Sequence, residues 1–546
     1  MTIPPSSGGA ATEFDRLERD VVDHFFVLAP GYAVFLGLHE YDGRMPDLSK
    51  AATDRWVEGS DRLLARLRAA ANAELSKGRQ IDRMLLELLL ESPLFDLRAT
   101  RDLERNPMSY VGGVSLTPYM VREYAPVAER AKAMVQILEA TPKFLDDGRR
   151  RLDATLPKPF LTLSLAIGGG LPSHFAEAEE YARAASPALG DAVKSAREPA
   201  ERAVAEFLDR IRTEWMPKAN DAFALGAERY QKLLWVREGI RTPFEEIRRQ
   251  GEADLRRNQL RLEEIAGGAA KVAEKFETLF RDHSGAAELI PTAQQFVAEA
   301  KTFVRDHDLV TIPEPAVCRV EETPSYGRAL STASMNPPGP FDTSDDEGIY
   351  YVTPVDPAWT PERQEEWLRS LNLPMLRNIT IHEVFPGHYL QFLHFRHAAG
   401  SLARKVYLSP SFTEGWAHYC EQLAIESGLG GSGWHAEAAQ LHDALLRDCR
   451  LLASIGLHTG GMTLDEATEL FVERAHFERL PAEREAIRGT FNPEYYCYTL
   501  GKLRILEARQ KLLDGTFHRS LRGFHDRLLS TGAPPVGLLE ELLTAA

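Results

Sequence analysis

Cysteine is scarce in this chain. Cys318, Cys420, Cys449 and Cys497 are the only four in 546 residues, and no two are close enough to form a CxxC pair. That excludes a disulfide framework or a cysteine-built metal motif legible from spacing, and the four read as small buried hydrophobes. Basic charge is also in deficit, 64 Lys and Arg against 80 Asp and Glu for a net charge of −16. A phosphate-backbone partner needs clustered cations, so no nucleic-acid partner is expected. Long apolar runs are missing as well. The most apolar stretch, Phe160 to Leu171, is short and carries Gly168, Gly169 and Gly170, so neither a membrane span nor a membrane partner is expected. The segment Met1 to Phe14 has no basic region followed by an apolar one, and from this the expected location is cytoplasmic. No internal repeat and no low-complexity segment is present.

What remains is an ordinary globular composition, 44% hydrophobic and 26% charged, at a length that suits one to three packed units. Amphipathic runs with apolar residues three and four apart occur at Ala125 to Leu138, Ala200 to Trp215 and Phe244 to Ile265, and they predict helices. Basic groups such as Arg149 to Arg151 or Arg256 and Arg257 lie in helical patterns with acids nearby and read as solvated faces. After about Leu309 the texture changes. Val310 to Val320 mixes β-branched residues with proline, and a Pro/Gly/Asp-rich loop leads into Ile349-Tyr350-Tyr351-Val352, which together predict short strands. From Pro361 onward helix returns. The expected fold is mainly α, a large helical protein with a deep cleft and a small β element beside a helix of the second half. Its expected division is an N-terminal helical region over 1–300 and a second region over 301–546 that carries the short β element and nearly everything chemically unusual, packed as one continuous unit.

The chemistry concentrates in Ile379-Thr380-Ile381-His382-Glu383-Val384-Phe385-Pro386-Gly387-His388-Tyr389-Leu390-Gln391. Two histidines with a glutamate after the first resemble the HExxH pattern, in which imidazoles one helical turn apart bind zinc and the glutamate is the base. The spacing does not suit a regular helix. Six residue steps leave the second side chain roughly 120° of rotation from the first. Pro386 and Gly387 are the two extra residues, and both types interrupt helices. Either a local distortion returns His388 to His382, or the pair simply ends a helix and the histidines are unrelated.

A third ligand is available in Ser411-Phe412-Thr413-Glu414-Gly415-Trp416-Ala417-His418-Tyr419-Cys420-Glu421, where Glu414 follows His388 by 26 residues. That interval holds a helix, a turn and a return, so Glu414 on a second helix completes a His2Glu set. Glu421, seven residues on, lies on the same helix face and either orients a ligand or is a surface acid. His418 and the pair His394 and His397 are rival ligands without a glutamate in the base position.

The string His-Glu-x-x-Pro-Gly-His-x-x-Gln followed by Glu-Gly-Trp-Ala resembles the bacterial family of domain of unknown function 885, which in turn resembles the helical zinc oligopeptidases of the HExxH superfamily. The likeness runs through most of the chain: Gly37-Leu38-His39-Glu40-Tyr41-Asp42 resembles the family's N-terminal signature, and Gly348 to Val352 its strand before the zinc helix. The resemblance implies that His458 donates to substrate or to a tetrahedral oxyanion and that Tyr498 stabilises the same charge. The chain departs from the pattern at Ala453-Ser454-Ile455 before Gly456-Leu457-His458, at Met462, and at Pro493-Glu494-Tyr495-Tyr496, which leaves Tyr495 and Tyr496 as rivals to Tyr498.

The expected function is a zinc (Zn2+) metallopeptidase-like hydrolase acting on short or unfolded peptides, with His382, His388 and Glu414 on the metal and Glu383 as general base. Two alternatives stand beside it. One is a zinc hydrolase of a specialised non-peptide amide or small molecule; the other is a non-catalytic binding protein on a peptidase scaffold. The oligomeric state is left open.

Overall fold

The computed structural model describes residues 12–70, 75–324, 327–328, 331–342, 346–398, 400–431, 433–513 and 520–544. The chain is mainly α-helical, with one small three-stranded sheet. It divides into two compact units. The first comprises Met1–Leu225, Gly339–Asp345 and Ser401–Val406; the second comprises Gly226–Pro338, Asp346–Gly400 and Tyr407–Ala546.

In the first unit α1 (Glu13–Leu28) opens with a capping box, Thr12 and Asp15 each satisfying the other's backbone amide, and packs against α2 (Lys50–Ala69) and α3 (Lys77–Phe95). Three longer helices, α4 (Val127–Arg151), α5 (Lys158–Ala185) and α6 (Pro187–Arg210), enclose a core of residues such as Tyr110, Met134, Phe175 and Phe207. The apolar Phe160 to Leu171 stretch lies inside α5, which continues through its three glycines and Pro172. A Cβ on Gly168 would sit 2.6 Å from Leu208, so the glycine lets α5 close on α6. No described helix is long and apolar enough to cross a membrane.

The second unit starts with α7 (Ala227–Glu238) and α8 (Phe244–Ala266). Its sheet has the order β1-β3-β2, with β1 (Cys318–Glu322) parallel to β3 (Gly348–Val352) and β2 (Ala333–Asn336) antiparallel to it. The central strand β3 is buried along its whole length, which explains its continuous apolar run. The strand expected over Val310 to Val320 begins only at Cys318, because Pro313 and Pro315 carry no amide hydrogen for a ladder. β2 has no sequence signal: Ala-Ser-Met-Asn shows neither alternation nor β-branching.

Candidate metal centre

The metal motif falls on two short helices, α9 (Leu373–Glu383) and α10 (His388–His397). Asn372 caps α9 by accepting from the Met375 amide at 3.1 Å. At Val384 the backbone leaves helical geometry, with φ −117° and ψ −80°, and the chain turns through Pro386 and Gly387 before α10 begins at His388. Pro386-Gly387 therefore does end a helix, yet the next helix starts so that the two imidazoles meet, with ring centroids 4.7 Å apart and planes at 87°. The turn is tight. A Cβ on Gly387 would lie 1.8 Å from the His382 carbonyl oxygen, so only glycine fits.

Glu414 arrives on α11 (Pro410–Glu426). Ser409 caps this helix by accepting from the Phe412 amide, and donates to buried Glu238 at 2.6 Å. Burial pushes Glu238 up to about 7, against the lowering effect of its bonds from Ser409 and Ser411. Trp416 Nε1 donates to the Pro386 carbonyl at 2.8 Å and ties α11 to the turn between the two histidines. On its other side α11 meets α13 (Cys497–Leu513) backbone to backbone: a Cβ on Gly415 would lie 2.4 Å from the Cα of Gly501, and one on Gly501 1.8 Å from the Ser411 carbonyl.

These elements bring His382, His388 and Glu414 together, with one ligand atom of each within 4.8 Å of the others. Glu414 Oε2 lies 3.4 Å from His382 Nε2 and 3.5 Å from His388 Nε2. Zinc bonds of about 2.0–2.1 Å at tetrahedral angles place ligand atoms roughly 3.3 Å apart, so the spacing and the His2Glu donor set fit such an ion. Burial pushes His382 down, but Glu414 and Glu421 outweigh it and hold the imidazole at about 10; Glu414 is held far below the usual carboxylate range by the two histidines despite its burial.

Behind His382 stands a buried polar network. Glu421 is fully buried; its Oε1 is 2.6 Å from His382 Nδ1, and its Oε2 accepts from Arg447 Nη1 at 2.7 Å and lies 3.2 Å from His418 Nδ1. Burial alone would raise the Glu421 carboxyl, yet Arg447, His418 and His382 hold it well below its ordinary value. This carboxylate-to-imidazole bond fixes which His382 nitrogen faces Glu414. His418 is pushed down to about 3 by burial and touches Glu421 rather than the cluster. Arg447, on α12 (Trp434–Thr459), is absent from the sequence reading. Its signal was a pair of arginines, Arg447 and Arg450, inside an otherwise apolar helical run, which implies buried acidic partners.

The remaining predicted residues divide. Glu383 is the half-buried last residue of α9, and its charge acts on Cys318 of β1 and Tyr350 of β3. Tyr498 of α13 lies within the electrostatic reach of Glu414. Of its two rivals, Tyr495 donates its hydroxyl to Glu485, while fully buried Tyr496 packs edge-on to Tyr230. His458 is not brought to the cluster. It ends α12 against Gly489, with Nε2 2.9 Å from that carbonyl oxygen and its ring stacked on Tyr230, and burial pushes it down to about 4. His394 is engaged by the Thr311 carbonyl and His397 by Asp346. In the first unit, His39 of the N-terminal signature sits between Asp42 and Asp342 and stacks on Tyr124.

Comparison with known proteins adds the family and the fold. The chain is similar to a protein from Shewanella oneidensis described as "a putative lipoprotein of unknown function", at 22% identity and TM-score 0.79, covering 97% of this chain and 100% of that one. It is also similar to a "putative lipoprotein" from Colwellia psychrerythraea, at 17% identity and TM-score 0.80, covering 97% and 98%. No curated protein matches the chain. The cytoplasmic expectation is corrected by these relatives, since lipoproteins are held at a membrane; it rested on the composition of Met1 to Phe14, of which residues 1–11 lie outside the described residues. A model of the bacterial proteins of unknown function DUF885 matches residues 30–543, and the chain belongs to that family.

Proposed function

We propose that this protein is a zinc-dependent hydrolase that cleaves short or unfolded peptides, with His382, His388 and Glu414 holding the metal. The observation that carries the reading is the convergence of two imidazole nitrogens and one carboxylate oxygen at zinc-like spacing, with Glu383 next in the chain to a ligand. The likeness of the motif to helical zinc oligopeptidases points the same way. Zinc bound by such a set supplies a Lewis acid for the substrate carbonyl and acidifies a water toward neutrality. Glu383 is the base that takes the water proton and returns it to the leaving amine. Glu421 keeps Nδ1 of His382 engaged, so that Nε2 points to Glu414. The Tyr498 hydroxyl donates to the developing oxyanion.

A peptide substrate is favoured by the sheet. β2 is the strand at one edge, packed against both α9 and α10. An extended peptide can add to such an edge through backbone hydrogen bonds, whereas a compact amide gains little from it. Elemental mass spectrometry on purified wild type and Glu414→Ala tests the centre. About one zinc per chain, lost in the variant, is the expected result; zinc retained by Glu414→Ala removes the proposed ligand set. A panel of peptides and non-peptide amides then tests the substrate class, and cleavage confined to the amides would overturn the peptide reading.

A further inference from the structure

The two histidines of the proposed metal set differ on their far sides. His382 has its Nδ1 against Glu421 at 2.6 Å. His388 is nearly as deeply set, with its side chain 11% exposed, yet its Nδ1 is buried and has no hydrogen-bond partner among the described residues. An imidazole that offers Nε2 to a metal carries its proton on Nδ1. His388 therefore presents a buried donor with nothing to accept it, and buried polar groups are rarely left unpaired.

One turn along α10 stands its complement. Gln391 is 2% exposed, and both polar atoms of its amide, Oε1 and Nε2, are buried without a hydrogen-bond partner among the described residues. The Gln391 backbone amide donates to the Gly387 carbonyl at 3.0 Å, so the turn that carries both residues is closed as helix. Residues three apart on a helix share a face, with Cβ atoms about 5–6 Å from each other. Long helical side chains also lean toward the N-terminus, over the preceding turn. For Gln391 that turn begins with His388. Phe392 and Phe395, which continue the face, are buried and can accept nothing. The acids nearby are engaged elsewhere: Glu421 with His382, Arg447 and His418, and Glu414 with the Nε2 side of both imidazoles. Burial keeps Gln391 from any substrate, which leaves an internal partner.

We propose that Gln391 is a positioning residue for the metal set: a rotation of its side chain places Oε1 on the His388 Nδ1–H, so that Gln391 does for His388 what Glu421 does for His382. This rests on the metal set of the hydrolase reading and adds the partner that its second imidazole lacks. It also gives a task to the glutamine that closes the motif His382-Glu383 to Gln391. Partners of this kind fix the ring and raise the basicity of the ligating nitrogen.

The test reads the zinc affinity of full-length protein by competition with a chromophoric chelator, together with the unfolding midpoint of each protein freed of metal. Gln391→Met keeps the length of the side chain and removes both polar atoms. It is expected to weaken zinc binding roughly 10- to 100-fold, with a metal-free midpoint at or above that of wild type, because an unpaired amide leaves the interior. Gln391→Glu, which keeps an acceptor oxygen at the same reach, is expected to recover most of the lost affinity. An equal loss in both variants overturns the inference, as does a metal-free midpoint that falls along with the affinity. A crystal structure of zinc-loaded wild type tests the same point without a variant. Oε1 of Gln391 within about 3.2 Å of His388 Nδ1 is expected, and a different acceptor at that nitrogen overturns the inference. Wild type that binds no zinc would sink the metal set itself, whereas undiminished zinc affinity in Gln391→Met sinks the role of Gln391 alone.

Discussion

Glu383 and Glu421 are both carboxylates beside His382, and their surroundings assign them different work. Glu383 is half-buried at a helix end, where a water can reach it. Glu421 has no exposure and spends its oxygens on His382, Arg447 and His418. Glu383→Gln is therefore expected to keep its zinc and lose about 10²- to 10⁴-fold in kcat, read by metal analysis and steady-state kinetics on one preparation. Native turnover in that variant would remove the base from the mechanism. Glu421→Gln is expected to do the reverse: zinc affinity should fall about 10- to 100-fold in a chelator competition, because His382 loses the group that fixes its ring. His458, whose position in the motif resembles that of a substrate-facing donor, has its Nε2 at the Gly489 carbonyl and its ring stacked on Tyr230.

At the scale of elements, two glycines decide whether the site closes. Gly387 passes over the His382 carbonyl, and Gly501 passes over that of Ser411. In each case an added Cβ meets backbone, which cannot rotate away. Gly501→Ala should cost roughly 1–3 kcal/mol or more in a urea titration and reduce zinc occupancy, since α11 and α13 must separate. An unchanged midpoint would mean the helices tolerate the shift. The N-terminal signature forms another tie. Burial lowers the His39 pKa, but hydrogen bonds to Asp342 and Asp42 outweigh it and raise it overall, with Arg122 pairing Asp342 from its other side. A raised folded-state pKa stabilises fully below the unfolded value and is lost as pH rises through the folded value. Wild type should thus lose stability relative to His39→Asn as pH is raised above about 6.5, and parallel pH profiles would show that the pair contributes nothing.

For the whole molecule, a ligand that binds only the folded second unit must raise its unfolding temperature. Zinc at 1,000 times its Kd contributes about 4 kcal/mol. Calorimetry with and without chelator should show a transition that shifts in wild type and stays fixed in His388→Ala; a shift retained in the variant would place the bound zinc elsewhere. The long helices, the short strand at β3 and the donor types were legible from the chain, because amphipathic periodicity and residue chemistry are local properties. The strand β2 was not, because four residues without alternation become a strand only when β3 offers them partners.

By itself the sequence determined which groups exist and their order: two histidines six apart, a glutamate following the first, another on a later helix, and helix breakers between. A regular helix would have turned His388 away from His382, so whether these residues meet was beyond what periodicity can say. The tertiary structure decided it, by ending α9 at Glu383, starting α10 at His388 and letting Gly415 and Gly501 bring α11 and α13 into backbone contact. The same packing set the Tyr495 hydroxyl on Glu485, put Tyr496 edge-on to Tyr230, held the His458 Nε2 at the Gly489 carbonyl and brought Arg447 to the buried Glu421. Such outcomes depend on contacts between segments far apart in the chain, where a single Cβ or a buried carboxylate changes the geometry, and no local pattern encodes them.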